Sequence, residues 1–275
     1  MITKRQSSRR ETMSELSRRW SLLSQLTVRE VETRYRGAGL GLVWTLLTPL
    51  MMLLVYTFVF GTVFKSRWST SDESASSIEF AVILFSGLIL FQLFSDVVTR
   101  APTVILSNPT LVKKVVFPLE LLVPITLGAA LFHAAVSLLI LLPFVWFVFG
   151  KVPATFAFLP LVVIPLSAMI LGIGWFLASV GTFIRDVGQI VGTMTTALLF
   201  LSPVFFPLTA LPDWIRPFLF FNPMTVPIEQ LRRILIFGKQ PEMLTLAVYS
   251  AVAFIVAFCG YIWFDKTRKG FADVL

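Results

Sequence analysis

Thr27-Val-Arg-Glu-Val-Glu-Thr-Arg-Tyr-Arg36, then Gly37-Ala-Gly-Leu-Gly41, then an uncharged run that ends only at Lys65: the fold turns on this stretch. The 28 residues from Gly37 to Phe64 carry no charge. At ~1.5 Å per residue they cross a hydrocarbon core with some tilt. The charged segment before them reads as an amphipathic helix lying on the membrane surface. Thr27 and Glu30 fit a capping box, which would satisfy free amides at a helix start. Glu30–Arg34 and Glu32–Arg36 are i, i+4 pairs with the acid first, the favourable orientation. Val28, Val31 and Tyr35 share one face. The three glycines sit at the bend, where small residues allow close packing. An ordinary basic flank is the plainer alternative, but it needs neither a capping box nor an apolar face.

Composition agrees with a polytopic membrane protein. Of the 275 residues, 56% are hydrophobic and only 14% charged, with a mean hydropathy of +0.85; a soluble chain of this length carries far more charge. The net charge of +8 brackets apolar runs instead of interleaving with aromatic residues, so topology explains it better than nucleic acid does. The single cysteine, Cys259, rules out an internal disulfide and lies in an apolar run, as a small packing residue would. No cleavable signal peptide is expected, because the first apolar run is too long and too late.

Five further apolar runs follow. Phe80–Ser95 continues past Asp96 to Thr99; Leu121–Gly150, Val152–Ile184, Val187–Pro212 and Met243–Phe264 are uncharged over 30, 33, 26 and 22 residues. The sequence therefore predicts an all-α protein with six transmembrane helices, at about 38–64, 79–99, 120–149, 155–182, 187–206 and 243–264. Asp96 makes the second the weakest of them. Six spans place both termini on one side. With the N-terminus inside, the inner segments hold 16 Lys and Arg and the outer segments 7, which favours cytosolic N- and C-termini. Residues 1–26 read as a basic, serine-rich cytosolic tail, partly disordered, in which Leu16, Trp20 and Leu23 have helical spacing suited to the lipid interface. Residues 27–275 form the transmembrane domain.

Between the fifth and sixth spans the chain departs from simple hairpins. Ser202-Pro-Val-Phe-Phe-Pro207, Leu211-Pro-Asp-Trp-Ile-Arg-Pro217 and Phe218-Leu-Phe-Phe-Asn-Pro223 break it into short pieces. Only 12 uncharged residues separate Arg216 from Glu229, too few to cross, so re-entrant helices are expected at about 203–228. The loop Asn108-Pro-Thr-Leu-Val-Lys-Lys-Val-Val-Phe-Pro118 predicts a short helix at about 108–116, started by Asn-Pro and stopped by Pro118. With Lys113 and Lys114 it suits docking of a soluble partner; a plain positive-inside loop is the alternative.

Several chemistries are excluded. No G-x-x-x-x-G-K-[ST] occurs, so the chain does not hydrolyse ATP through a P-loop. One histidine, His133, with no Cys/His cluster, rules out the usual zinc sites. His133 reads as a packed, hydrogen-bonded residue; the competing role is a proton relay. Asp96, Glu120 and Asp186 fall near span ends, so among the acids only Glu229 is well placed for a substrate path.

At this point the residues resemble a known family. R-E-V-E-T-R-Y-R-G-A-G-L-G-L-V-W-T-L-L-T-P-L (Arg29 to Leu50), N-P-T-L-V-K-K-V-V-F-P-L-E (Asn108 to Glu120), F-I-R-D-V (Phe183 to Val187), L-S-P-V-F-F-P (Leu201 to Pro207), N-P-M-T-V-P-I-E-Q-L-R (Asn222 to Arg232) and F-D-K-T-R-K-G-F-A-D-V-L (Phe264 to Leu275) are similar to ABC-2 type permeases that export polysaccharides. The nearest subgroup resembles O-antigen permeases of the Wzm type, with teichoic-acid permeases as relatives. The basic N-terminus is longer than that pattern, and Thr48-Pro49-Leu50 stands where many relatives read N-P-L.

The resemblance implies a homodimer in the bacterial inner membrane with two separate ATP-binding cassette subunits. These would hold ATP and magnesium, so this chain needs no cofactor and is not an enzyme. Val28 to Arg36 would be a cytosolic gate helix. The loop helix would couple to the ATPase through Asn108, Pro109, Lys113, Lys114 and Phe117. The substrate implied is an O-antigen-like glycan on a polyprenyl pyrophosphate, moved outward. Arg29, Arg34 and Arg36, beside Tyr35, would attract the pyrophosphate, with lipid headgroup anchoring as the alternative role. Sugars bind aromatic faces, so Trp44, Tyr56, Phe60, Phe91, Phe205 and Phe206, with Glu229, are candidates to line the channel. Competing readings are a teichoic-acid, lipid or drug permease of the same fold, a proton-driven secondary transporter, and a membrane glycosyltransferase or ligase using Asp72 and Glu73.

Overall fold

The computed structural model describes residues 2–36, 38–63, 77–113 and 117–274. Asp72, Glu73 and Lys114 therefore lie outside the described residues. Among the described residues all regular structure is helical. In chain order the α-helices are α1 (Ile2–Tyr35), α2 (Trp44–Tyr56), α3 (Ser77–Arg100), α4 (Pro109–Lys113), α5 (Leu122–Phe149), α6 (Leu159–Phe183), α7 (Val187–Leu201), α8 (Arg216–Leu219), α9 (Thr225–Leu235), α10 (Met243–Thr267) and α11 (Phe271–Val274). Among the described residues four stretches are long and apolar enough to cross a membrane: Ile78–Thr103, Leu119–Phe149, Ala154–Phe183 and Met243–Gly270. Two shorter apolar helices, Trp44–Phe60 and Val187–Leu201, accompany them.

The N-terminal helix does not begin at Thr27. No glycine or proline interrupts residues 2–36, so nothing stops a helix that propagates more easily than it nucleates. Thr27 is thus an interior residue of α1, not its cap, and the tail before it is continuous with the helix. A Cβ built on Gly128 would fall 2.8 Å from the Thr27 side chain, so α1 lies directly on α5. Val31 is buried in this contact and Leu23 and Leu26 pack beside it, whereas Val28 and Trp20 are exposed. The glycines after α1 also act differently from expectation. Gly39 and Gly41 have open space around them, and Gly41 adopts φ +50°, a left-handed turn that starts the helical run Gly41–Val43 before α2.

The helix that Asp96 marked as weakest is the centre of the subunit. In the apolar window of Ile78–Thr103, 78% of residues are buried inside the subunit, against 22% for Leu119–Phe149. α3 contacts α2, α5, α6, α7 and α9. Its C-terminal end meets α1 through Asp96 and Arg34, and its N-terminal end meets α9 through Ile83 and Arg232. These contacts define an α1 end and an α9 end of the bundle. Both terminal segments gather at the α1 end, where Glu120 pairs with Arg19 of α1 and with Arg268 after α10. There Phe271 of α11 is buried against Phe264 and Phe183.

α6 and α10 form the tightest helix pair. A Cβ on Gly172 would overlap the backbone of Val256, and one on Gly260 would overlap the backbone of Gly172. Ala168 and Ala253 are buried along the same seam. Membrane helices gain little from expelling apolar surface into lipid, so close backbone approach at small residues supplies the attraction. Gly260→Val is expected to destabilise the subunit by about 3 kcal/mol or more, because the backbone it meets cannot move aside. Gly192→Ala in α7, where nothing lies within 4 Å, is expected to leave stability unchanged or raise it slightly. Thermal unfolding of the two purified variants in detergent measures both.

Candidate functional site

The expected re-entrant stretch is a short-helix segment held by side-chain hydrogen bonds. Asn222 donates to the carbonyl of Leu201 at 3.1 Å and to the hydroxyl of Ser202 at 2.9 Å, and its own Oδ1 accepts from the amide of Met224 at 2.9 Å. Thr225 donates to the Leu219 carbonyl at 2.6 Å, and Tyr249 of α10 to the Pro223 carbonyl at 3.1 Å. Every broken turn in apolar surroundings needs such a partner. α9 lies within the bundle, with Ile228, Leu231, Ile234 and Leu235 fully buried.

Arg232 is the residue this segment depends on, and the sequence reading counted it only as an outer loop charge. It is 0% exposed. Its guanidinium donates to three backbone carbonyls: Ile83 of α3 at 3.3 Å, Val204 at 2.8 Å, and Pro203. Glu229 faces it at 3.3 Å, one turn away. Gly87 makes the room, since a Cβ there would stand 2.8 Å from Nη2. Glu229 is therefore engaged with Arg232, and its role here is to balance a buried charge. An arginine three residues after Pro-Ile-Glu, among apolar residues, was the available signal.

At the α1 end, acids and bases of α1 pair across to other elements. Arg34 meets Asp96 at 3.1 Å, and Glu30 meets Arg100. Among the described residues neither of the expected i, i+4 pairs of α1 forms. Arg36 is exposed, as is Arg29, which lines a groove of about 540 Å³ between α1 and the 103–111 segment. Asn108 closes that segment by donating to the Val104 carbonyl at 2.9 Å, and Pro109 opens α4, which Lys113 ends. Phe117 packs against the core and lines a second cleft with Arg18, Arg19, Glu120 and Arg268.

Between α1, α2, α3 and α5 lies a cavity of about 330 Å³ that unites residues from distant parts of the chain. Arg34 and Tyr35 enter from α1, Thr45, Thr48 and Tyr56 from α2, Gln92 and Asp96 from α3, His133 and Ser137 from α5. Gln92 donates to the second Asp96 oxygen at 2.7 Å. Tyr35 and His133 approach at 3.4 Å between the hydroxyl and Nδ1, with their rings edge to face. His133 is thus packed and hydrogen-bonded at Nδ1, while its Nε2 is buried with no partner among the described residues, as is the Thr45 hydroxyl.

The aromatic candidates divide. Tyr56, Phe60 and Phe205 form a row, with centroid spacings of 6.4 and 6.1 Å, that ends in Phe200 stacked on Phe205 at 5.6 Å. Phe206 lines an apolar groove with Phe218 and Phe221 near α8. Trp44 is partly exposed at the start of α2. Phe91 is 5% exposed and packs on Phe94, so it belongs to the subunit core and faces no path. A polar stripe was missed: Gln189, Thr193 and Thr196 are exposed on one face of α7 with Gly192 between them. Its i, i+3, i+4, i+7 spacing was legible in the sequence.

Residues 21–236 match the family described as ABC-2 type transporter. An O-antigen export system permease protein of Myxococcus xanthus is 28% identical over 262 residues, covering 94% of this chain and 97% of that protein. A polysialic acid transport protein of Escherichia coli is 28% identical over 247 residues, with 89% and 92% covered. A capsule polysaccharide export inner-membrane protein of Neisseria meningitidis is 23% identical over 215 residues, 77% of each chain.

Removing Arg232 takes a donor from the Pro203, Val204 and Ile83 carbonyls, the last of which keeps the Ser86 hydroxyl at 2.6 Å, and leaves Glu229 without its cation. Arg232→Ala is expected to cost about 3–5 kcal/mol, the range for breaking a buried ionic contact. Glu229→Gln, which keeps an acceptor, should cost clearly less. Yield of monodisperse protein and its unfolding temperature in detergent report the order.

Proposed function

Because the chain belongs to the ABC-2 type transporter family, we propose that it exports a lipid-linked polysaccharide, an O-antigen-like glycan on a polyprenyl pyrophosphate, from the cytosolic to the outer side of the inner membrane. The chain is a transport subunit and not an enzyme; ATP is hydrolysed in a separate subunit. Two copies with two ATP-binding cassette subunits make the complete exporter, and six spans place both termini in the cytosol. The observation that carries the polysaccharide reading is similarity to polysaccharide-export permeases over almost the whole chain. The M. xanthus and E. coli relatives share both the length and the general cargo in their descriptions.

Other features support the same reading. α2 with its continuation to Val63 starts beside Tyr35 and ends against Phe80 and Phe205, so it runs from the α1 end to the α9 end. α7 starts near Pro102 and ends at Asn222, covering the same span. Together with the four longer stretches this supports six crossings. The charge bias also strengthens, since Arg232, one of the seven outer cations by sequence, is buried in the bundle and is no loop charge. The Gln189, Thr193 and Thr196 stripe would be costly against lipid tails, so it suits a polar path between two copies. α4 and Phe117 lie at the α1 end, which on this reading faces the cytosolic ATPase.

The test is genetic and biochemical. Deleting the gene should abolish surface glycan and leave it inside the cell, and the wild-type chain should restore display. Replacing Lys113, Lys114 and Phe117 together by alanine should reduce recovery of the ATPase with this chain and bring display to background. Display that persists without any ATPase partner, or surface glycan unchanged by the deletion, would overturn the proposal.

A further inference from the structure

We propose that the cavity between α1, α2, α3 and α5 is a saccharide subsite that takes one neutral pyranose ring of the exported glycan and does not take its pyrophosphate. This rests on the transport reading above and names what one site in the subunit recognises.

Charge decides against an anion. The guanidinium of Arg34 is already paired with Asp96 at 3.1 Å, and the other Asp96 oxygen is held by Gln92 at 2.7 Å. The charged groups of the cavity cancel, so a pyrophosphate would have to displace Asp96 from Arg34 to bind. A neutral ligand leaves the pair intact and can add hydrogen bonds to it.

Two buried atoms ask for a hydroxyl. The Thr45 Oγ1 and His133 Nε2 are buried without partners among the described residues, and both residues line the cavity. Buried polar atoms are normally satisfied, and an unsatisfied one is a standing cost that a ligand can relieve. Whichever tautomer His133 adopts against Tyr35, a sugar hydroxyl fits, because it donates and accepts equally well. The ends of the cavity add what a pyranose ring uses: aromatic faces at Tyr35 and Tyr56, and a planar amide and carboxylate at Gln92 and Asp96. About 330 Å³ lies at the small end of ligand sites, which suits one ring and not a chain of them. Tyr56 then leads into the Phe60 and Phe205 row, so a ring that leaves the cavity meets further aromatic surface.

The chain's single cysteine makes the test direct. Cys259→Ala clears the background, and Thr48→Cys or, separately, Ser137→Cys puts a thiol on the cavity wall. The full chain in lipid nanodiscs is labelled with a small maleimide in the presence of methyl glycosides of glucose, galactose, mannose or N-acetylglucosamine, and in parallel with glycerol or inorganic pyrophosphate. At about twice its Kd a bound pyranoside should slow labelling about threefold. Thr45→Val should remove that protection, and glycerol and pyrophosphate should give none. Equal protection by pyrophosphate would overturn the proposal in favour of an anion site. No protection by any pyranoside at either thiol, or two thiols that never label, would mean a cavity that holds water only or is closed, and would overturn it as well. Labelling needs no transport. Protection in a chain that fails the genetic test, or normal export with unprotected thiols, therefore separates the failure of one reading from the failure of the other.

Discussion

The guanidinium of Arg232, buried among the carbonyls of Ile83, Pro203 and Val204, is the contact on which the α9 end of the subunit depends. A chain that breaks its helices inside a membrane must satisfy the backbone groups it frees, because lipid offers no hydrogen bonds. Arginine suits that task better than lysine, since its planar fork presents five donors in fixed directions. One side chain thereby joins the N-terminal half of α3, the break after α7 and α9. Glu229 balances its charge, and Gly87 leaves the space it fills. Because Pro203 and Val204 are fixed, Phe205 beside them is fixed too. The aromatic row from Tyr56 to Phe200 is thus held by a polar contact that none of its members makes.

The two ends of the bundle use electrostatics differently. At the α9 end the guanidinium of the ionic contact is fully buried and has no other state available at low cost. At the α1 end the pairs Arg34–Asp96 and Arg19–Glu120 each have one half-exposed partner. Between the ends, α6 and α10 are joined by backbone contact at Gly172 and Gly260. The subunit therefore combines a closely joined frame, made of α3, α6, α9 and α10, with one helix whose polar attachments are half-exposed.

Sequence patterning recovered much of this frame. Long uncharged runs mark α3, α5, α6 and α10 because hydrocarbon tolerates little else over that length. Asn108-Pro109 marked a short helix, which ends at Lys113 as far as the described residues run. Local readings failed where long-range contacts decide. Thr27 and Glu30 have the spacing of a cap, yet their partners are Gly128 and Arg100, far along the chain. Asp96 reads in sequence as the weak point of its helix, but Arg34 pairs with it, Gln92 hydrogen-bonds it, and the helix sits at the centre. Arg232 looked like a loop cation because its three acceptors are backbone carbonyls, which have no signature in sequence. The cavity was illegible for the same reason: its walls come from four helices, and only Arg34, Tyr35 and Tyr56 had been marked as functional.

The strength of the α1 attachments bears on how an exporter of this kind would open. Partly exposed ion pairs contribute roughly 0.2–1 kcal/mol each. Among the described residues three such pairs tie α1 to the rest of the subunit, from Arg19, Glu30 and Arg34, and they add about 0.6–3 kcal/mol in total to its apolar packing against α5. Releasing α1 therefore carries only a modest polar cost beside that of its packing. Moving such an equilibrium from one state almost wholly to the other takes about 5.5 kcal/mol of differential affinity, more than the ion pairs resist. A nucleotide-driven push on the neighbouring 101–113 segment would meet a weak polar latch beside that packing, and Arg100 in that neighbourhood is itself part of the latch as the partner of Glu30. Coupling and gating would then share a residue, and no separate relay between the ATPase contact and α1 is required.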